Sequence, residues 1–382
     1  MHAVTAAHPL SGVKVLDLTK FPPGAFCTVL LADLGADICR LETPGSSPLM
    51  SGISVGLGRS KRSVGVDLRN PGGVAILRRL AAWADVLVEN NRPGELDERG
   101  FGYSHAAVEF PRLIWCSITG FGQDGPAAQW TGHDISYTAH SGLLSGVNPA
   151  LPWHPQLVMS IPIGATMAAL GIVAALRERD RAGVGCQLDI SMSEAATWLL
   201  SSDDAMLNGV ARGIPVSPDR HLYECSDGCW VTTAAAEPKS WKALCLGLGL
   251  DDLSDTLFRW ADPNAVTERI AAVFRTRTAG EWVAELGPLG TSVVALNRGV
   301  ELQDDPHVRA RGTLVPVGDV LVPANPIRFR DSNGTLPQQA PTSPVPAGAN
   351  TDDILAEAGF SADEIADLRA SGAVGGLDER LQ

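Results

Sequence analysis

Over its first two hundred positions the chain repeats one pattern, a short β-type apolar run that hands over to a helical stretch. Residues 13–18 (VKVLDL) read as a strand. Pro22-Pro23-Gly24 follows, and the apolar residues of 25–34 suit a helix starting just after the prolines. Residues 38–42 (ICRLE) give a second strand, so the opening is a βαβ unit of the doubly wound kind. A helix over 74–83 follows Asn70-Pro71-Gly72-Gly73, and strands are expected at 85–89, 113–119 and 187–191. Residues 161–180 are small and apolar without interruption for roughly four turns, which predicts a helix buried on most sides. Residues 194–207 read as a further helix.

The pattern changes at the loop 209–218. Beyond it come a hairpin through 223–224 and 230–235, a helix over 241–246, amphipathic helices at 267–274 and 279–286, and a strand over 291–296. This is a smaller α+β region, assigned to 209–320. Pro-rich stretches at 323–329 and 338–349 make a return linker, and 351–358 and 361–371 close the chain as two helices. The expectation is therefore an α/β protein with a first domain over 1–208, a small domain over 209–320 and a returning segment over 321–382.

Composition narrows the possible partners. At 382 residues the chain has room for two or three domains of ~150 residues each. Its formal net charge of -13 repels nucleic acid and anionic membrane surfaces, so neither is expected as a partner. An anionic small molecule would need a local basic patch. The 7 Cys are odd in number and mostly lie in apolar runs, as buried thiols of a reducing compartment do. Cys225 and Cys229 lack the second pair a zinc site requires, so no metal is expected. The N-terminus has no leader pattern, and no run reaches the ~18 apolar residues of a membrane span, which points to the cytoplasm. The first turn lacks G-x-G-x-x-G, against a nicotinamide or flavin dinucleotide site.

Candidate chemistry concentrates at strand ends. Residues 120–137 (GFGQDGPAAQWTGHDISY) follow the strand at 113–119, and loops at strand carboxyl ends face the ligand crevice of an open α/β sheet. Gly120, Gly122, Gly125 and Pro126 permit tight bends, and His133 is either a proton-handling group or a turn-stabilising one. Arg59-Ser60-Lys61-Arg62, with Arg69 nearby, is the densest basic cluster, a solvated loop or a phosphate-neutralising patch. The turn Asn90-Asn91-Arg92-Pro93-Gly94 sits at another strand's carboxyl end, where Arg92 could meet the same anion. Glu237 precedes Pro238 at a strand-to-helix turn and either complements the helix dipole or does chemistry.

Taken together, LSGVKVLDLTKFPPG, LADLGADICRLETP, ENNRPG, LIWCSITGFGQDGP with TGHDISY, YECSDGCWVTTAAAEPKSW, DDPHVRARG and TDDILAEAGFSADEIADLRASGAV are highly specific. Through them the chain resembles the family III CoA-transferase superfamily, and within it the α-methylacyl-CoA racemase branch. The resemblance implies a Rossmann-like large domain built from both chain ends, a smaller domain between them and an interlocked homodimer. It implies an acyl-CoA substrate, coenzyme A entering as part of that substrate, and no tightly bound cofactor. Arg69, Asn90, Asn91 and Arg92 match the family's CoA contacts. Thr43 stands where an Arg is usual, and Arg40 or the Arg59–Arg62 cluster, Arg62 included, is expected to substitute. His133 and Glu237 match a His–Glu pair that moves the proton next to the thioester carbonyl, with enolate charge held by backbone N–H groups of the helix after Ser160.

One position departs from the pattern. Ser160 occupies the site of the racemase's acid/base Asp, which is also the transferase's nucleophile. A serine without a neighbouring base neither exchanges a proton near neutral pH nor forms a mixed anhydride. Four outcomes stay open: a racemase or epimerase using His133–Glu237, a CoA-transferase by another route, a different α-proton reaction, or a catalytically silent acyl-CoA-binding protein.

Overall fold

The computed structural model describes residues 8–45, 54–144, 158–202 and 217–376. Trp153, the end of the helix expected at 194–207 and most of the loop 209–218 lie outside the described residues. The chain forms two compact units, one of Met1–Asn208 with Gly312–Gln382, the other of Gly209–Arg311.

The larger unit is built on a six-stranded parallel sheet of β1 (Lys14–Asp17), β2 (Asp37–Glu42), β3 (Lys61–Gly65), β4 (Val86–Glu89), β5 (Ile114–Thr119) and β6 (Gln187–Ser191). Its order is β3-β2-β1-β4-β5-β6, the doubly wound arrangement, with Val15 beside Ile38 on one flank and Val86 on the other. Alternate residues of each strand feed opposite cores because strand side chains alternate in direction. Val15, Val86, Ile114 and Ile118 pack with Cys27 and Leu31 of α1 (Pro22–Asp33). Leu16, Leu87 and Trp115 pack with Ile76, Leu77 and Leu80 of α2 (Pro71–Trp83). Covered on both faces, the sheet is an α/β core of the kind the sequence predicts.

Two more helices complete the scaffold of the site. A short α3 (Asp134–His140) rises from the stretch that reads as a loop, and α4 (Ser160–Ala182) packs on α1 and the sheet. With mean hydropathy 1.5, α4 is long and apolar enough by composition to cross a membrane, which corrects the expectation that no run qualifies. Its buried face, with Ala168 and Ile172 fully enclosed, belongs to the same core as α1. α5 (Met192–Trp198) follows β6, and Met192 Cγ lies so near Gly164 that no Cβ would fit there.

The chain's end returns to the β3 edge. A hairpin of Leu314–Val317 and Val320–Pro323 already belongs to the larger unit, so the return begins at Gly312, earlier than 321. Ile354 and Leu355 are fully buried in the core that α2 also lines, and Gly65 lies so close to the Gly375 carbonyl that only glycine fits. The smaller unit pairs Arg220–Glu224, Trp230–Ala234 and Val294–Ala295 as an antiparallel sheet over a core of Trp241, Phe274 and Trp282.

Candidate active site at the switch point of the sheet

In a doubly wound sheet the ligand crevice opens where neighbouring strands send their connections to opposite faces. Here that point lies between β1 and β4. A cavity of about 490 Å³ occupies it, bounded by the turn after β1, the Asn90–Pro93 turn after β4, Gly120 after β5, and His133. The pocket is of ordinary size for a small-molecule site.

Each wall has a local cause. Asn90 Oδ1 accepts the Lys20 N–H at 2.9 Å, and its Nδ2 donates to the Lys20 carbonyl at 2.6 Å, so Asn90 clips the two turns together. The Asn91 N–H and side-chain amide donate to Glu89 Oε2 at 2.7 and 3.1 Å. Burial raises the Glu89 pKa, opposed by these hydrogen bonds. Arg92 is exposed on the wall and has no ion pair among the described residues. His133 is exposed where α3 begins, its N–H donating to Ser136 Oγ at 3.4 Å. Tyr137 beneath it donates to the Gly132 carbonyl, and burial followed by the Asp134 charge raises its pKa.

Asp134 turns inward and is 8% exposed. Its Oδ1 accepts from Ser160 Oγ at 2.8 Å and the Ile161 N–H at 2.8 Å, and its Oδ2 from the Met159 N–H at 2.9 Å. An anion at the start of α4 is favoured by the helix's unpaired N–H groups.

Residues 10–344 match CoA-transferase family III. The chain belongs to that family. Among its relatives, alpha-methylacyl-CoA racemase of Homo sapiens is 33% identical, over 94% of this chain and 96% of its own. Acetyl-CoA:oxalate CoA-transferase of Acetobacter aceti is 30% identical over 88% and 92%. The crystal structure of a CAIB/BAIF family protein from Brucella suis matches with a TM-score of 0.80 at 25% identity, covering 92% of this chain and 100% of that one.

Set in this family III frame, the expected site residues divide. Asn90, Asn91, Arg92 and His133 line one pocket. Arg69 stands at the carboxyl edge of the sheet but outside that lining, exposed and paired with Asp67 at 2.9 Å. Arg62 is the second residue of β3, at the opposite edge, and pairs with Asp37 and Glu357. Arg40 is 7% exposed and pairs with Glu42 at 2.9 Å. Arg59 pairs with Asp33 at 2.6 Å, so none of the residues expected to substitute at Thr43 is in the pocket lining. Ser160 is fully buried and gives its hydroxyl proton to Asp134, so it too stands off the pocket lining. Of the N–H groups after Ser160 expected to hold an enolate, that of Ile161 is taken by Asp134, which also accepts the Met159 N–H. Glu237, in the smaller unit, is exposed just before the helix Pro238–Gly247, and its carbonyl accepts the Trp241 N–H at 2.9 Å.

Phe21, Glu89 and Asp134 escaped the sequence reading. Glu89 and Asp134 sit inside the ENNRPG and GHD motifs, where the neighbouring Arg92 and His133 drew the chemical attention. No local pattern announces that Asp134 caps a helix 26 residues further on.

Proposed function

We propose that this protein binds an acyl-CoA thioester in the pocket between β1 and β4 and moves the proton on the carbon next to the thioester carbonyl. The observation that carries this reading is the meeting of an exposed imidazole, His133, and a guanidinium with no ion pair among the described residues, Arg92, on one largely apolar cavity. Arg92 would take phosphate of the nucleotide tail, as its planar donor fork suits. His133 would accept the α-proton as the electron pair moves onto the thioester oxygen, then return it to carbon. Glu237 is carried in the proposal as the carboxylate that supports the imidazolium. Ser160 takes no part in it, and the lining carboxylate Asp134 is committed to Met159, Ser160 and Ile161, which leaves His133 as the base of the described lining. Coenzyme A enters as part of the substrate, and no bound metal or redox group is called for. A relative named as a racemase lends support.

Exchange of the C2 proton of an acyl-CoA in deuterated water, followed by NMR, tests the reading. The protein should catalyse exchange, and His133→Gln should slow it by about 10²-fold or more while free-CoA affinity holds. CoA movement that depends on an added carboxylic acid would instead mark a transferase, and neither activity a silent binding protein.

We further propose that the subunits pair as a homodimer. Leu170 and Val173 on α4 and Trp198 on α5 are exposed, and β6 is an edge strand of the sheet. Light scattering should give twice the chain mass, and Leu170→Glu with Trp198→Glu should lower it.

A further inference from the structure

Phe21 has φ 71° and ψ 172°, a backbone region that side chains other than glycine rarely occupy. Its ring is 56% exposed on the pocket wall, so buried packing does not explain the conformation. The flanking residues do. The Thr19 N–H and hydroxyl both donate to Asp17 Oδ1, at 2.9 and 2.6 Å. Thr19 also packs on Gly24, where a Cβ would fall 2.1 Å away. Lys20 is held at both backbone groups by Asn90. Pro22 and Pro23 then start α1. Asn90 is by this geometry a positioning residue, fixing Phe21 against the cavity.

The wall that Phe21 completes has a distinct chemistry. Pro22, Pro23 and Pro93 beside it have no N–H to donate, and none of the four side chains is polar. A nucleobase laid there would leave its polar edge unpartnered, whereas hydrocarbon would not. Arg92 is the one cationic side chain among the described lining residues, and the proposed reading commits it to phosphate. A carboxylate at the far end of an acyl group would find no counter-charge on this wall. We infer that Phe21 is a specificity-determining residue whose ring faces the acyl group, and that the acyl group is a bulky uncharged hydrocarbon rather than a carboxylated chain. The inference rests on the acyl-CoA reading above.

The test is calorimetric titration of the full-length protein with free CoA, acetyl-CoA, 4-phenylbutanoyl-CoA and glutaryl-CoA. Wild type should bind the phenylbutanoyl thioester about tenfold more tightly than the glutaryl one. Phe21→Ala should weaken the phenylbutanoyl thioester by about tenfold and free CoA by less than about twofold, and Asn90→Ala should weaken the phenylbutanoyl thioester by about tenfold as well. Phe21→Gly should melt a few degrees above Phe21→Ala, because only glycine relieves the positive φ. Equal losses for free CoA and every thioester in Phe21→Ala would put the ring on the nucleotide and overturn the inference. So would no loss at all, tighter binding of the glutaryl thioester, or identical melting of the Ala and Gly variants. If free CoA and all thioesters fail to bind wild type, the acyl-CoA reading itself falls, an outcome distinct from the others.

Discussion

A carboxylate that already accepts two backbone N–H groups and a hydroxyl has little capacity left for a substrate. Asp134 is in that state, so its work is to tie the start of α4 to the residue that follows His133. Removing it as Asp134→Ala would leave two N–H donors and the Ser160 hydroxyl facing a void. Hydrogen bonds to a charged group contribute about 1.5–3 kcal/mol, so a loss of about 3 kcal/mol is expected in urea unfolding. Ser160→Ala removes one donor and leaves Asp134 its two backbone partners, so it should lose only about 1 kcal/mol. It should also keep α-proton exchange within roughly twofold, because a fully buried hydroxyl that donates inward touches no substrate. A collapse of exchange in Ser160→Ala at unchanged stability would return that serine to the reaction.

At the scale of elements, the loop after β5 and the helix α3 are fitted to each other through Tyr137. A Cβ on Gly120 would fall 2.3 Å from its Cε1, and one on Gly132 at 2.8 Å, so both glycines are required by contact rather than by a turn. Gly120→Ala should destabilise by about 2 kcal/mol through overpacking. In a Tyr137→Ala background the same change should be nearly neutral, a coupling of about 1 kcal/mol or more in a double-mutant cycle of thermal unfolding. Additive effects would show the ring and the glycines to be independent. These elements also mark how far the sequence could be read. The strands at 13–18, 85–89 and 113–119 declare themselves because both faces of a parallel sheet are buried and their apolar runs are nearly unbroken. The turns at their carboxyl ends therefore pointed to Asn90, Asn91, Arg92 and His133 together. The helix α3 did not declare itself, because Gly, His, Asp and Ser crowd its start and no apolar period develops. Arg62 was misplaced for a different reason: its partner Glu357 lies 295 residues away, and only the return of the chain to β3 brings them together. Ser160 was likewise unreadable, since its orientation is set by a carboxylate from α3.

At the scale of the whole molecule, the buried thiols set how stability responds to alkali. Burial holds the Cys27, Cys39 and Cys116 protons well above the ordinary thiol value of 9.0, and raises Cys245 to about 12. Once unfolded, the same thiols ionise near 9, so above that pH the native state binds more protons than the unfolded one. Stability must then fall as pH rises, by up to about 1.4 kcal/mol per pH unit for each thiol. Lys61 acts in the opposite sense. Burial, only partly offset by Asp17 at 3.9 Å, lowers its pKa from 10.5 to about 8. Between those values the native state holds fewer protons, and stability rises with pH. The thiols are silent below 9 and outnumber the lysine above it, so the balance changes sign. Urea midpoints taken under reducing conditions should hold or rise slightly from pH 8 to 9 and fall steeply from about pH 9 to 11. Cys39→Ala should make the fall shallower, and Lys61→Met should abolish the earlier rise. Asp17 remains hydrogen-bonded in the lysine variant through the Thr19 N–H and hydroxyl and the Thr28 hydroxyl, so the fold has reason to survive the change. A midpoint that stays flat to about pH 11 would mean the thiols reach water in the native state, against the burial of Cys27, Cys39 and Cys116 in the cores on either side of the sheet and of Cys245 in the core of the smaller unit.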